Sequence, residues 1–123
     1  MTTVIRSAGR ADAPAIYEMI MALAVYEKAE QEVVTTPQEI EETLFGADSK
    51  TEALICEIDG RVAGYAVYFT TYSTWLGRSG LYIEDLYVSP EFRGHGAGKA
   101  LIQCIAKTAV ERRCGRLEWS VLD

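Results

Sequence analysis

The chain predicts an α/β fold, one mixed and mostly antiparallel sheet flanked by helices in the order β-α-α-β-β-β-α-β. Three observations carry this. Two strand-like runs, 52–58 and 61–72, are joined by Asp59-Gly60, the dipeptide of tight hairpins. Segments before and after them place apolar residues at three- and four-residue steps, the helical period. A further strand-like run, 116–122, returns after the last of these helices, so it should lie parallel to the strand preceding that helix.

Taken in order, Val4-Ile5-Arg6 reads as a short first strand. Asp12 is an expected N-cap, with Pro14 in the first turn where a missing N–H costs nothing. Ile16, Met19, Ile20, Leu23, Ala24 and Tyr26 then form one apolar stripe. Glu27 to Glu32 reads as a solvated loop. Thr36-Pro37-Gln38-Glu39 has the form of a capping box; its helix carries Ile40, Leu44 and Phe45, and Gly46 ends it. Within the hairpin, Gly64 marks a bulge or a close backbone approach. Ser73 to Gly80 is expected to turn into the strand Leu81–Val88, rich in leucine, β-branched and aromatic side chains. Pro90 stops that strand. Ala97, Leu101, Ile102, Ile105, Ala106 and Ala109 define a long helix, closed by Arg112-Arg113-Cys114-Gly115 with glycine as the stop.

Between strand and helix lies Arg93-Gly94-His95-Gly96-Ala97-Gly98. Glycines at a helix mouth let the backbone approach a ligand, and the first helical N–H groups have no internal partner, so such a turn can hold phosphate. It is not a P-loop: Ala100 stands where a Ser or Thr should follow the lysine. Nor does it fit the dinucleotide fingerprint, whose third glycine would fall on Lys99. On the turn alone, a purely structural strand–helix connection is the rival reading.

Composition narrows the classes. At 123 residues and 49% hydrophobic, the chain is a single domain with material for a core. No apolar run approaches membrane-spanning length and no signal-peptide pattern opens the chain, so a cytoplasmic protein is expected. Cys56, Cys104 and Cys114 lack metal-site or disulfide spacing, and buried thiols are expected rather than a metal. A net charge of −6 disfavours nucleic acid and anionic membrane as partners and would suit a cationic amine.

Strand, turn and helix together resemble the GCN5-related N-acetyltransferase (GNAT) family, whose R/Q-x-x-G-x-G/A signature is met by Arg93, Gly96 and Gly98. L-A-V-Y-E at 23–27, Y-S-T-W-L-G at 72–77 and L-Y-I-E-D-L-Y-V at 81–88 are similar to its spermidine/spermine (diamine) branch. The resemblance implies an acetyl-CoA-dependent transferase acting on a small-molecule primary amine, as a homodimer. A non-catalytic CoA-binding or regulatory module is the alternative. It also implies roles. Leu86, Tyr87 and Val88 would offer backbone groups to the pantetheine arm, and Gly94, His95, Gly96, Ala97, Gly98 and Lys99 would give amides to the pyrophosphate. Arg93 would add charge, with Arg112 or Arg113 as substitutes. Glu84 would contact the acceptor and take its proton through water, beside Tyr26 and Glu27. Trp75 would wall the acceptor pocket, meet a partner subunit or pack in the core, and Asp85 is expected on a wetted face.

Two departures from the resembled branch matter. Ser73-Thr74 replaces an acidic residue and a proline before Trp75, so a shorter amine or an amino-acid side chain is as good an acceptor as a polyamine. The family's later helix, with the tyrosine that serves as general acid, has no counterpart in 123 residues. The chain is therefore expected to be C-terminally incomplete, and not a stable, active monomer by itself.

Overall fold

A computed structural model describes residues 1–120 of the chain. Five strands form one sheet in sequential order: β1 (Thr3–Ser7), β2 (Thr51–Ile58), β3 (Arg61–Ser73), β4 (Arg78–Val88) and β5 (Leu117–Trp119). The first four pair antiparallel, and β5 joins β4 in parallel after a crossover helix, as the order of elements requires. Helices α1 (Ala13–Tyr26) and α2 (Pro37–Leu44) cover one face, and α3 (Ala97–Glu111) covers the other.

Each face has its own core. Ile16, Met19 and Ile40 pack on Ile55, Tyr65, Val67 and Tyr87. On the opposite side Leu101, Ile105 and Ala109 pack on Leu54, Cys56, Tyr68, Leu81 and Ile83. Side chains alternate across a strand, so both sets come from the same three central strands. The Asp59-Gly60 hairpin forms with both residues at positive φ (51° and 81°), the twist that suits a two-residue connection. Gly64 is a close approach: a Cβ there would overlap the Tyr87 carbonyl oxygen. The nearby bulge falls one residue earlier, since Cys56 pairs with Gly64 and Glu57 with Val62, leaving Ala63 unmatched.

Several caps differ from expectation. Asp12 does not cap α1; its carboxylate accepts the Gly9 N–H at 2.8 Å and two bonds from Arg6 at 2.8 and 2.9 Å. The pairing holds the Asp12 carboxyl below its usual range. Thr36 does cap α2, accepting the Glu39 N–H at 3.1 Å. At the end of α3 the left-handed residue is Arg113 (φ 58°), with Cys114 N–H bonded back to the Ala109 carbonyl at 2.9 Å. Gly115 is small for another reason, because a Cβ there would lie 2.9 Å from the Leu76 side chain. The β3–β4 turn is tighter than expected, as β4 already begins at Arg78. Of the expected strand 116–122, residues 121 and 122 lie outside the described residues. Trp119 is 45% exposed.

Candidate acetyl-transfer site

The site is built on a bulge in β4. Val67 pairs with Asp85 and Tyr68 with Ile83, so Glu84 has no partner on β3. One extra residue reverses the parity of the strand. Before it, the odd residues Leu81 and Ile83 face α3; after it, the even residues Leu86 and Val88 do, while Tyr87 faces α1. Without the bulge, Asp85 and Tyr87 would be driven into the apolar core under α3.

The bulge also marks where β5 stops pairing. Leu81, Tyr82 and Ile83 pair with Leu117, Glu118 and Trp119, and the Tyr82 hydroxyl meets Ser120 Oγ at 2.6 Å. Among the described residues, Glu84 to Val88 pair with β3 alone. A cleft of about 320 Å³ opens there, lined by Tyr26, Glu27, Glu84, Asp85, Leu86 and Trp119 among others. The end of α1 forms its far wall. Lys28 turns left-handed (φ 58°) and Ala29 N–H returns to the Ala24 carbonyl at 2.8 Å, which stops the helix and sets Tyr26 and Glu27 at its mouth.

Three carboxylates thus converge: Glu27 from α1, and Glu84 and Asp85 from β4. The negative end of the α1 dipole adds to them. Glu84 is exposed at the bulge. Asp85 is half-buried and is not on the wetted face expected for it. The fully buried Tyr65 donates its hydroxyl to Asp85 Oδ2 at 3.1 Å. Burial raises the Asp85 carboxyl above its ordinary range, the Tyr65 bond partly offsets this, and the charges of Glu84 and Glu27 push it further up. Burial and the Asp85 charge push the Tyr65 hydroxyl far upward, so it remains a donor.

Along the strand from the cleft, Pro90–Phe92 makes one 3-10 turn and the glycine loop follows. Gly94 and Gly96 hold φ of 85° and 79°, which glycine tolerates and other residues resist. A Cβ at either would meet nothing within 4 Å, so the protein leaves that space open. The first helical bond of α3 runs from Ala100 N–H to the Gly96 carbonyl at 2.9 Å, so the amides of Ala97, Gly98 and Lys99 precede the ladder. His95 and Lys99 are exposed beside them. These features fit an anionic group, and the edge of Leu86, Tyr87 and Val88, unpaired on that side among the described residues, fits an extended amide-bearing arm: the two requirements of acetyl-CoA.

The arginines differ from expectation. Arg93 turns away from the loop amides; its Nε donates to the Val88 carbonyl at 3.0 Å, and its guanidinium lies 5.7 Å from the Tyr26 ring and 5.8 Å from the Tyr87 ring. Arg112 is fixed to Glu52 at 2.6 and 2.8 Å. It and Arg113 follow the far end of a 15-residue helix, about 22 Å from the loop at 1.5 Å per residue. Neither can stand in for a phosphate ligand. Trp75 is 97% exposed in the β3–β4 turn, which rules out core packing, and it does not line the cleft.

Reading the sequence missed Tyr65, which in V-A-G-Y-A-V-Y-F is indistinguishable from a core aromatic. It also underrated Asp85, because the bulge that redirects it has no glycine or proline to announce it. A parity count was available: Leu81 and Ile83 on odd positions against Leu86 and Val88 on even ones.

Among the described residues no helix is long and apolar enough to cross a membrane, and no three His, Cys, Asp or Glu side chains gather as a metal group. Comparison with known proteins identifies the family. The Acetyltransferase (GNAT) family model matches residues 14–123. Thialysine N-epsilon-acetyltransferase of Bos taurus is 36% identical over 98% of this chain and 75% of its own length. The L-ornithine N5-acetyltransferase of Arabidopsis thaliana is 42% identical over 50% of this chain and 27% of its own. The solved structure of a ribosomal-protein-alanine N-acetyltransferase from Brucella melitensis superposes with a TM-score of 0.79, at 24% identity, covering 98% of this chain and 81% of that one. With the family model matched over most of the chain and a relative 36% identical over nearly all of it, the chain belongs to the GNAT family of acetyltransferases.

Proposed function

We propose that the chain transfers an acetyl group from acetyl-CoA to the primary amine of a small molecule, and that the acceptor is a diamine or an amino acid with a side-chain amine. The observation that carries this is the convergence of Glu27, Glu84 and Asp85 on a cleft at the open half of β4. Three carboxylates and a helix C-terminus make a local potential that draws an ammonium group. Relatives named for thialysine and ornithine support an amino-acid acceptor.

When bound, acetyl-CoA supplies an acyl carbon activated as a thioester. The residues of this chain do the rest. The amides of the Gly94–Lys99 loop hold the pyrophosphate and the peptide groups of Leu86–Val88 align the pantetheine arm as an added strand would. Tyr26 and Leu86 narrow the approach, and the carboxylates orient the amine. Glu84, at the bulge, is the first of them that the amine meets. Calorimetry with CoA, followed by mass spectrometry of thialysine, ornithine and spermidine incubated with acetyl-CoA, tests the reading. Micromolar CoA binding with acetylation of at least one amine is expected. Binding without transfer would leave a CoA-binding module instead.

Trp75 and Leu76, exposed on the β3–β4 turn, offer a face for a homodimer under the same reading. Sedimentation of wild type against Trp75→Ser checks it.

A further inference from the structure

Glu84 and Asp85 are consecutive, yet the bulge gives them unlike surroundings. Glu84 stands exposed at the bulge. Asp85 is drawn in against Tyr65, and one of its oxygens is committed to the tyrosine hydroxyl at 3.1 Å. The carboxyl also lines the cleft that Glu27 and Glu84 enter. A general base works best with a proton affinity near the working pH and a fixed orientation. Asp85 has a fixed orientation on the Tyr65 hydroxyl and a proton affinity that burial raises above the ordinary carboxylate range.

We infer that Asp85, oriented by the Tyr65 hydroxyl, is the group that takes the proton from the acceptor ammonium, while Glu84 and Glu27 serve to attract and seat it. This rests on the amine-acetylation reading above. The step balances simply. An N–H bond of the ammonium breaks and its proton goes to the Asp85 oxygen not held by Tyr65. The freed lone pair attacks the thioester carbon, the C–S bond breaks, and the second amine proton leaves with the thiolate as the free thiol. Asp85 then releases its proton to water. Tyr65 touches no reacting atom; it is a positioning residue.

The charged and titratable groups around Asp85 are Glu27 from α1, Glu84 and Tyr87 from β4, Tyr65 from β3, and the Arg93 guanidinium stacked on Tyr26 and Tyr87. The carboxylates favour the protonated form and the Tyr65 bond favours the ionised one. Removing that bond should therefore raise the proton affinity of Asp85.

The test uses thialysine as acceptor and three variants of the full chain. Asp85→Asn should lower kcat roughly 10²–10⁴-fold. Glu84→Gln should act chiefly on KM. Tyr65→Phe should move the acid limb of the pH–rate profile to higher pH and lose most activity on its acid side. A readout independent of turnover is the carboxyl ¹³C titration of Asp85 in the free protein: it should titrate above the ordinary aspartate range, and Tyr65→Phe should move it further up. Turnover retained in Asp85→Asn, or an Asp85 titration that Tyr65→Phe leaves in place, overturns the inference alone. No acetyl transfer by the unaltered protein to any of the amines overturns the acetylation reading and this role together.

Discussion

The two halves of β4 differ more than neighbouring stretches of one strand usually do. Arg78–Ile83 is paired with β3, and its last three residues also pair with β5, so its polar backbone is spent on structure. Glu84–Val88 is paired with β3 alone among the described residues, and it borders the cleft and the glycine loop. The sequence L-Y-I-E-D-L-Y-V changes little in composition across that boundary. What separates the halves is one unmatched residue. The bulge ends the shared ladder, opens an edge, and turns Asp85 from the α3 face to the α1 face in a single step. A strand can therefore be scaffold and site at once, provided its parity is switched where the function begins.

Removing the switch should have the largest effect. Deleting Glu84 itself would keep Asp85 opposite Val67 and Tyr87 opposite Tyr65, but deleting Leu86 cancels the shift. With the bulge kept, Tyr87 then falls opposite Ala66 in the core under α3; with the bulge lost, Asp85 does. A buried, unpaired carboxylate is among the few single changes that cost more than about 4 kcal/mol. The Leu86 deletion should leave the chain unfolded or molten, read by loss of near-ultraviolet dichroism. A cooperative unfolding transition near that of wild type would show that parity does not matter here.

A smaller break leaves the switch in place but loosens the open half. Gly64→Ala sets a methyl against the Tyr87 carbonyl, and backbone cannot rotate aside as a side chain does. About 3 kcal/mol of stability should be lost in denaturant titration, the upper range for overpacking. CoA affinity should fall with it, because β4 must shift beyond the bulge. Gly80, in the two-sided half, gives the control: its would-be Cβ lies 3.0 Å from the Thr71 hydroxyl and 3.1 Å from the Arg116 carbonyl. Gly80→Ala should cost stability without touching CoA affinity.

Gly96→Val sharpens the comparison from the loop side. The space there is open to a side chain, but φ of 79° suits β-branched residues poorly. The variant should fold with a modest loss and bind CoA about a hundredfold more weakly, since the side chain enters the place of the pyrophosphate; a hundredfold is about 2.7 kcal/mol. Unchanged calorimetric affinity in a folded variant would remove the loop from the binding site.

Much of this was legible in the sequence, and the limits have physical causes. Asp59-Gly60 and the break at Pro90 are local signals, and so is the Thr36 cap; each acts within a few residues. The structure shows all three where expected. Asp12 looked like a helix cap because caps are written in residue type, but Arg6, brought by β1, competes for the same carboxylate. Arg113 took the left-handed stop that Gly115 was expected to supply, because Gly115 is needed against Leu76 of a turn distant in sequence. The bulge at Glu84 is set by pairing with β3, and within the strand its one trace is the shift of apolar residues from odd positions (Leu81, Ile83) to even ones (Leu86, Val88). The site was readable as a stretch of residues but not as a geometry: Tyr65 enters it only through the register of two strands.

The smallest expected effect tests the inner side of the bulge through stability. Asp85 is held above its ordinary range, chiefly by burial. The folded chain therefore binds a proton at Asp85 over a pH range in which the unfolded chain has already lost it. Stability falls wherever the native state binds more protons than the unfolded state. The Asp85 contribution is thus full below the unfolded value of 3.8, declines as pH rises through the folded one, and is flat above it. Asp12 runs the opposite way: its carboxyl is lowered by Arg6, so its contribution is present near neutrality and is lost as pH falls below the ordinary range. In Asp85→Asn the amide oxygen still accepts the Tyr65 hydroxyl, while the charge and its cost are gone. The variant should match wild type near pH 4 and exceed it by about 1 kcal/mol at neutral pH, the size of a typical polar substitution effect. Asp12→Asn should instead lose stability at neutral pH and approach wild type in acid. Urea titrations of both variants across pH 3–8 decide it. An Asp85→Asn protein less stable than wild type at pH 7 would mean the carboxylate is stabilised in its charged form, and the contrast with the exposed Glu84 would vanish.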